Sequence, residues 1–344
     1  MLNSKTLLIV GAGASKEAGL PLGFELMPKV LEASKIEMRD FGPANADKEL
    51  LTALSANENA LNRSINTTIN HYAKSYDRMK EGLKLSYSID NYLDAHQDDE
   101  LVVTLGKLGI VRSILSAENK SKLHLDDHNY TDVSRLNGTW YSEIFKMMNE
   151  AVSKQNSDKF FSHIEIICFN YDRCIEHFFL RSLMSYYSLM EEGASKIVSN
   201  LKIHHPYGRV GFLPWQSPNQ STVFGAPRVG GSELVRLAAQ IKTFTEQQDN
   251  SRLISEMQLA VEHAETIVFL GFAFHPQNLE LIAPRKSARA KRVFATACGM
   301  SKSDIEATRV DIAKWLKRES FLNTEIGDYT CAQLFSEYRR SIPR

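Results

Sequence analysis

The stretch Thr6-Leu7-Leu8-Ile9-Val10-Gly11-Ala12-Gly13-Ala14-Ser15 decides the fold. A short apolar run ending in glycine reads as a buried parallel strand feeding a tight turn, and helical sequence follows it. Two glycines let the backbone turn sharply and approach an anion, while the N–H groups opening the next helix point at it. The expected result is a cradle for the diphosphate of a nucleotide, NAD foremost, lined by Gly11, Ala12, Gly13 and Ser15. Ser15 either bonds a phosphate or caps the helix. The alternative is a tight strand–helix turn that holds no ligand.

Two departures narrow the motif. The ordinary dinucleotide fingerprint has a third glycine three residues after the second, where Lys16 stands. It also needs an acidic residue ending a second strand, but Phe24 to Ala33 continues as helix. A common dehydrogenase is disfavoured, and a Walker loop fails because no Gly-Lys-Ser or Gly-Lys-Thr follows.

Similar apolar runs recur at Ile164–Phe169, Leu201–His204, Thr266–Leu270 and Val293–Ala297, mostly followed by helical sequence. Alternating strands and helices imply an α/β fold, a Rossmann-like parallel sheet covered on both faces. More than a hundred residues separate the first strand from the next convincing one. There Leu85, Ile89, Tyr92 and Leu93 share one helical face, as do Leu101, Leu105, Leu108 and Val111. The expected organisation is a discontinuous core (1–34 and 156–300), a large helical insertion after the first strand–helix unit (35–155), and C-terminal helices packing on the core (301–344). Asn119 to Asn137 is a loop candidate. Ser303 with Glu306 resembles a capping box for a helix carrying Ile305, Ile312 and Leu316.

The chain has 344 residues, 43% of them hydrophobic, which is enough for a real core without staples. Its 41 basic and 41 acidic residues cancel, which argues against a duplex-wrapping nucleic-acid binder or a membrane-surface protein. Cys168, Cys174, Cys298 and Cys331 are scattered and form no Cys-x-x-Cys pair, so neither a disulfide framework nor a zinc ribbon is expected. With no leader-like segment before the first strand, the expectation is a cytoplasmic protein. His124, Asp126, Asp127 and His128 are metal ligands by type, but they crowd one polar loop without an established spacing, and no metal is expected.

Gly11-Ala12-Gly13-Ala14-Ser15 continued by Gly19-Leu20-Pro21 resembles the first NAD-binding motif of the sirtuin family. Three more motifs follow in family order: Asn170-Tyr171-Asp172, His205-Pro206-Tyr207-Gly208 and Gly271-Phe272-Ala273-Phe274. The resemblance spans residue 7 to about 300. It is closer to the divergent bacterial sirtuin-like proteins of antiphage defence than to protein deacetylases, and Ser88-Ile89-Asp90, Gly106-Lys107 and Arg292 to Ser301 also look like segments of that branch. The branch carries a helical insertion in place of a four-cysteine zinc module. It implies hydrolysis of NAD+, as substrate, to nicotinamide and ADP-ribose, depleting the cell of NAD during infection. It further implies a homo-oligomer and a HerA-like ATPase, an Argonaute or a fused sensor as partner.

Cleaving the nicotinamide bond passes through an oxocarbenium-like sugar, so the site must hold the ribose, place a water and stabilise developing charge. Asn170 follows a strand end, where open parallel sheets bind ligands, and by resemblance is the catalytic asparagine. The alternative is a turn asparagine bonding its own backbone. Asp172 matches the family aspartate that contacts the carboxamide, and it also suits a helix cap. His204 and His205 compete for proton exchange. The family pattern puts histidine directly before the glycine, where Tyr207 stands here, and the His-x-x-Gly variant selects His205. Neighbours on a strand face opposite sides, so one of the two reaches the site and either is otherwise a core histidine. By resemblance Gly271 and Phe272 contact the adenosine half, Asn278 reaches a ribose and Asp90 belongs to the NAD-binding set. Phe272 and Phe274 also read as core. A protein deacylase, and a non-catalytic sensor of NAD or ADP-ribose, are the competing functions.

Overall fold

The computed structural model describes residues 4–39, 42–124, 133–150, 152–248, 250–317 and 323–342. In chain order the elements are β1 (Thr6–Val10), α1 (Ala12–Lys16), α2 (Gly23–Ala33), β2 (Ile36–Arg39), β3 (Gly42–Ala46), α3 (Lys48–Ala60), α4 (Ile65–Gly82), α5 (Ile89–Ala95), α6 (Glu100–Lys120) and α7 (Trp140–Asn149). They continue as β4 (Ile164–Cys168), α8 (Cys174–Tyr187), α9 (Glu191–Val198), β5 (Lys202–His204), α10 (Gly231–Ala238), α11 (Phe244–Gln248), α12 (Ser251–His263), β6 (Thr266–Leu270), α13 (Pro276–Leu281), β7 (Arg292–Thr296), α14 (Lys302–Trp315), β8 (Asn323–Gly327) and α15 (Cys331–Glu337).

Six strands form one sheet in the order β5-β4-β1-β6-β7-β8, every pair parallel. Counting only its own strands along the chain, the order is 3-2-1-4-5-6, the Rossmann arrangement. Strand β1 lies between β4 and β6, all five of its residues are buried, and its side chains alternate between the two faces. Leu7 and Ile9 join the core beneath α2 to α6, α10, α12 and α14, whereas Leu8 and Val10 join the one beneath α7, α8, α9 and α15. Burying a Leu or Ile side chain contributes about 1.5–3 kcal/mol, so this strand feeds two cores at once.

Register fixes the functional edge. Val10 is level with Cys168 on one side and Leu270 on the other. The residues just beyond these strand ends are Gly11, Phe169-Asn170 and Gly271, at the point where strand order reverses.

The added helical layer comprises α3 to α6 packed with α2 and α10. Gly106 lets α5 meet α6, since a Cβ there would sit 2.4 Å from Leu93. Helix α7, within the span expected as insertion, packs instead with α8 and α15 on the opposite sheet face.

Five local expectations are corrected. The β2–β3 hairpin interrupts the helical insertion, its strands antiparallel with a shifted register after Glu37. Segment 301–344 supplies β8 as well as helices, so the sheet gains a sixth strand. Ser301 rather than Ser303 caps α14, its Oγ accepting the Asp304 N–H at 3.1 Å. Leu85 is 92% exposed, because the chain leaves the helix in a short 3-10 turn at Leu83–Leu85 before Ser88 caps α5. The loop candidate expected from Asn119 begins two residues later, at Ser121, since α6 runs to Lys120.

Gly271 has φ +54, and a Cβ there would lie 2.1 Å from the Ala14 nitrogen and 2.4 Å from the Gly13 Cα. Gly271→Ala is expected to lower unfolding free energy by more than about 2 kcal/mol, from backbone strain and the clash together. Urea denaturation measures it, and a wild-type midpoint would show that the two loops need not touch.

Candidate functional site

The glycine turn is built against the loop after β6. Gly11 N–H donates to the Leu270 carbonyl at 2.9 Å, Gly13 N–H to Gly271 O at 3.0 Å, and Ala14 N–H to Gly11 O at 3.0 Å. A Cβ on Gly11 or Gly13 would approach Gly271 backbone atoms to 2.6 and 2.7 Å. Both glycines therefore have a packing reason to be there, and two of the amides expected to face an anion already have protein partners. Ala12 is half-buried at the start of α1. Ser15 is not the cap, which is Gly11. Its hydroxyl points inward, donating to Asp172 Oδ2 and accepting from Asn170 Nδ2, both at 2.8 Å.

From Asn170 onward, successive side chains anchor to different parts of the fold. Asn170 Nδ2 donates to Gly11 O at 2.9 Å as well as to Ser15, so both its amide hydrogens have partners and the flip of the amide is determined. Its Oδ1 makes no hydrogen bond among the described residues. Tyr171 Oη hydrogen-bonds Asp90 Oδ1 on α5, tying the helical layer to the loop. Asp172 Oδ1 accepts the Cys174 N–H at 3.0 Å and so caps the first turn of α8. Burial pushes both the Asp90 and Asp172 carboxyls above their ordinary values, against the pull of their hydrogen bonds.

Arg173 is fully buried with Glu118 of α6, bonded at 2.5 Å from one terminal nitrogen and 3.1 Å from Nε. The guanidinium also donates to the Thr222 and Val223 carbonyls at 2.5 and 3.1 Å, and Glu118 accepts the Gly225 N–H at 3.0 Å. Such satisfaction on both partners is what a buried pair requires.

The two histidines diverge as strand geometry demands. His204 Nε2 lies 2.9 Å from Glu165 of the neighbouring strand. His205 turns the other way, with Nδ1 at 3.3 Å from the Asn170 carbonyl and Nε2 at 3.2 Å from Glu176 Oε1. Both ring nitrogens face acceptors, so a ring with one N–H satisfies only one of them. Glu176, which sequence reasoning missed, is buried on α8, takes a second bond at 2.8 Å from Arg209, and leaves Oε2 unpartnered. Burial alone would raise its carboxyl, but the His205 ring and the Arg209 guanidinium pull it down to about 2. Its signal was an acid inside an apolar helical stretch, six residues after Asn170.

Gly208 closes the His-Pro-Tyr-Gly turn at φ +74, where a Cβ would meet Gln240 O at 1.8 Å. Tyr207 Oη reaches Asn278 Oδ1 at 2.5 Å. Phe272 is buried among Phe169, Phe269 and Phe274 at ring distances of 5.2 to 5.6 Å, an aromatic core contact. Asn170, Ser15, Asp172, His205 and Gly271 thus gather around the carboxyl ends of neighbouring strands, and Asp90 joins through Tyr171. Asp126, Asp127 and His128 lie outside the described residues, among which no group of three or more His, Cys, Asp or Glu is placed to hold a metal. Among them, too, no helix is long and apolar enough to cross a membrane. No protein-family model matches the chain, and no curated protein matches it.

Two outcomes follow from these buried charges. Because folding holds Glu176 near 2 instead of its ordinary 4.5, the ionised carboxylate contributes stability that is full above about pH 4.5 and fades as pH falls from there through 2. Glu176→Gln should be less stable than wild type at neutral pH, with the gap shrinking on acidification below about pH 4.5; a gap independent of pH in urea titrations would refute it. Glu118→Ala should cost about 3–5 kcal/mol by stranding Arg173, while Glu118→Leu combined with Arg173→Met recovers much of that. Equal losses for single and double variants would contradict the ion-pair account.

Proposed function

We propose that the chain is a sirtuin-like NAD+ hydrolase that cleaves the nicotinamide–ribose bond, serving as the NAD-depleting effector of a bacterial antiphage system. The observation that carries this reading is the meeting of Asn170, Ser15, Asp172 and His205 where strand order reverses in the 3-2-1-4-5-6 sheet, the place such sheets bind ligands. Asn170 accepts through Oδ1 from a ribose hydroxyl or the attacking water, since its two N–H groups are already held. Glu176 accepts from His205 Nε2–H, which leaves Nδ1, now facing the Asn170 carbonyl, as the nitrogen that exchanges a proton once a ligand or water takes the place of that contact. The diphosphate lies by the Gly11 to Ser15 turn, with Asp90, Gly271, Phe272 and Asn278 completing the NAD site. Homo-oligomerisation, cytoplasmic location and a HerA-like ATPase or Argonaute-type partner belong to the same reading. A non-catalytic NAD or ADP-ribose sensor is the second reading, favoured by both ring nitrogens of His205 facing internal acceptors.

Purified protein incubated with NAD+ should release nicotinamide, and Asn170→Ala or His205→Ala should lower the rate by roughly 100-fold or more. His204→Ala should stay within about threefold, because its ring pairs with Glu165 away from Asn170. Equal release by wild type and Asn170→Ala would sink the assignment. Saturable NAD binding in calorimetry with no turnover, with or without the partner, would establish the sensor.

A further inference from the structure

Away from Asn170, a cleft of about 890 Å³ lies between α2, α3, α6 and the loop before α10. Its lining shares no residue with the Ser15–Asn170–Asp172–His205–Glu176 network. Five cations converge on it: Lys29 and Lys35 from α2 and its end, Arg112 and Lys120 from α6, and Arg228 from the loop. The side chains of three of these, Lys29, Lys120 and Arg228, make no hydrogen bond or ion pair among the described residues, and all three residues are exposed. Arg112 is different, being fixed by Asp47 at 2.8 Å and by the Ala33 carbonyl. Ser113, 5% exposed, is part of the wall, and its Oγ is buried with no hydrogen-bond partner. A buried hydroxyl without a partner is costly, and the five cations of the lining outnumber its three carboxylates, Glu32, Asp47 and Glu49, leaving an excess of positive charge.

We propose that this cleft is a second ligand site, for a small molecule bearing a chain of phosphates. Its volume is in the range of small-molecule pockets. Multiple cations with serine hydroxyls from Ser113 and Ser116 suit several anionic oxygens better than one carboxylate. Among the described residues no aromatic side chain lines the cleft, so recognition is by charge rather than by stacking of a base. A nucleic-acid backbone fits less well, because the cations are gathered in one cleft and the whole chain carries no net charge. Helix α6 also carries Glu118, so the helix that lines the cleft is bonded to the residue three after Asn170.

The test is calorimetric titration of the full chain with tripolyphosphate, which has neither ribose nor nicotinamide, so its result is independent of NAD turnover. Wild type should bind about one equivalent, and Lys29→Glu combined with Arg228→Glu, both exposed and with side chains in no hydrogen bond or ion pair among the described residues, should weaken binding roughly tenfold or more. Ser113→Ala should weaken it less, and Asn170→Ala should leave it unchanged. Absence of saturable binding overturns the proposal, as does binding that the charge reversals leave intact or that Asn170→Ala abolishes. Tighter, salt-dependent binding of a single-stranded oligonucleotide than of tripolyphosphate also overturns it.

Discussion

Backbone meets backbone where the loops after β1 and β6 touch, and the rest of the site is arranged around that contact. Gly13 N–H reaches Gly271 O at 3.0 Å, and neither Gly11, Gly13 nor Gly271 has room for a Cβ. With the turn seated there, Gly11 O accepts from Asn170 while Ser15 bridges Asn170 and Asp172. Helix α1 is braced from behind as well, because Glu17 accepts N–H groups from Trp140 at 2.6 Å and Ala332 at 2.9 Å, and Trp140 Nε1 donates to Ala14 O. Packing of three glycines thus sets the geometry of the polar groups.

The second constraint joins the helical layer to that core. Tyr171 holds Asp90 of α5 and Arg173 holds Glu118 of α6, so two residues of one short loop tie it to two helices of the added layer. Lys107 of α6 adds a bond of 2.7 Å to each oxygen of Glu246 on α11. A motion of α6 therefore bears directly on the backbone that presents Asn170 and Asp172.

What the sequence could show depended on how each element is stabilised. Strands β1, β4 and β6 are buried on both faces, so they stand out as apolar runs. Strand β8 reads Asn-Thr-Glu-Ile-Gly and lies at the sheet edge with one buried residue, leaving no run to find. The hairpin within the insertion was similarly silent, its second strand being Gly-Pro-Ala-Asn-Ala. Candidate site residues could be picked out after strand ends because parallel sheets in general bind ligands there, whereas which of His204 and His205 lies beside Asn170 needed the register of β5 on β4. Glu176 and Glu118 were missed because an acid is normally read as solvent-facing. Each sits on an apolar helical stripe, Glu118 at three and four residues from Leu115 and Ile114, and that misplacement was the available signal.

The pairing pattern also limits what a ligand must bring. Asn170 has given both N–H groups to the protein, Asp172 has a donor on each oxygen, and His205 faces an acceptor at each nitrogen. A ligand entering among these groups as an acceptor would have to displace an existing bond, which costs more than the new one returns if a buried group is left unpaired. A ligand that donates needs no such exchange, because Asn170 Oδ1 and the second lone pairs of Asp172 can still accept. Ribose hydroxyls and a carboxamide NH2 are donors of this kind, whereas the phosphates are acceptors only. Were NAD+ the ligand, as proposed, discrimination by this site would rest on the sugar and the ring it carries, and the diphosphate would have to find its donors at the edge of the glycine turn.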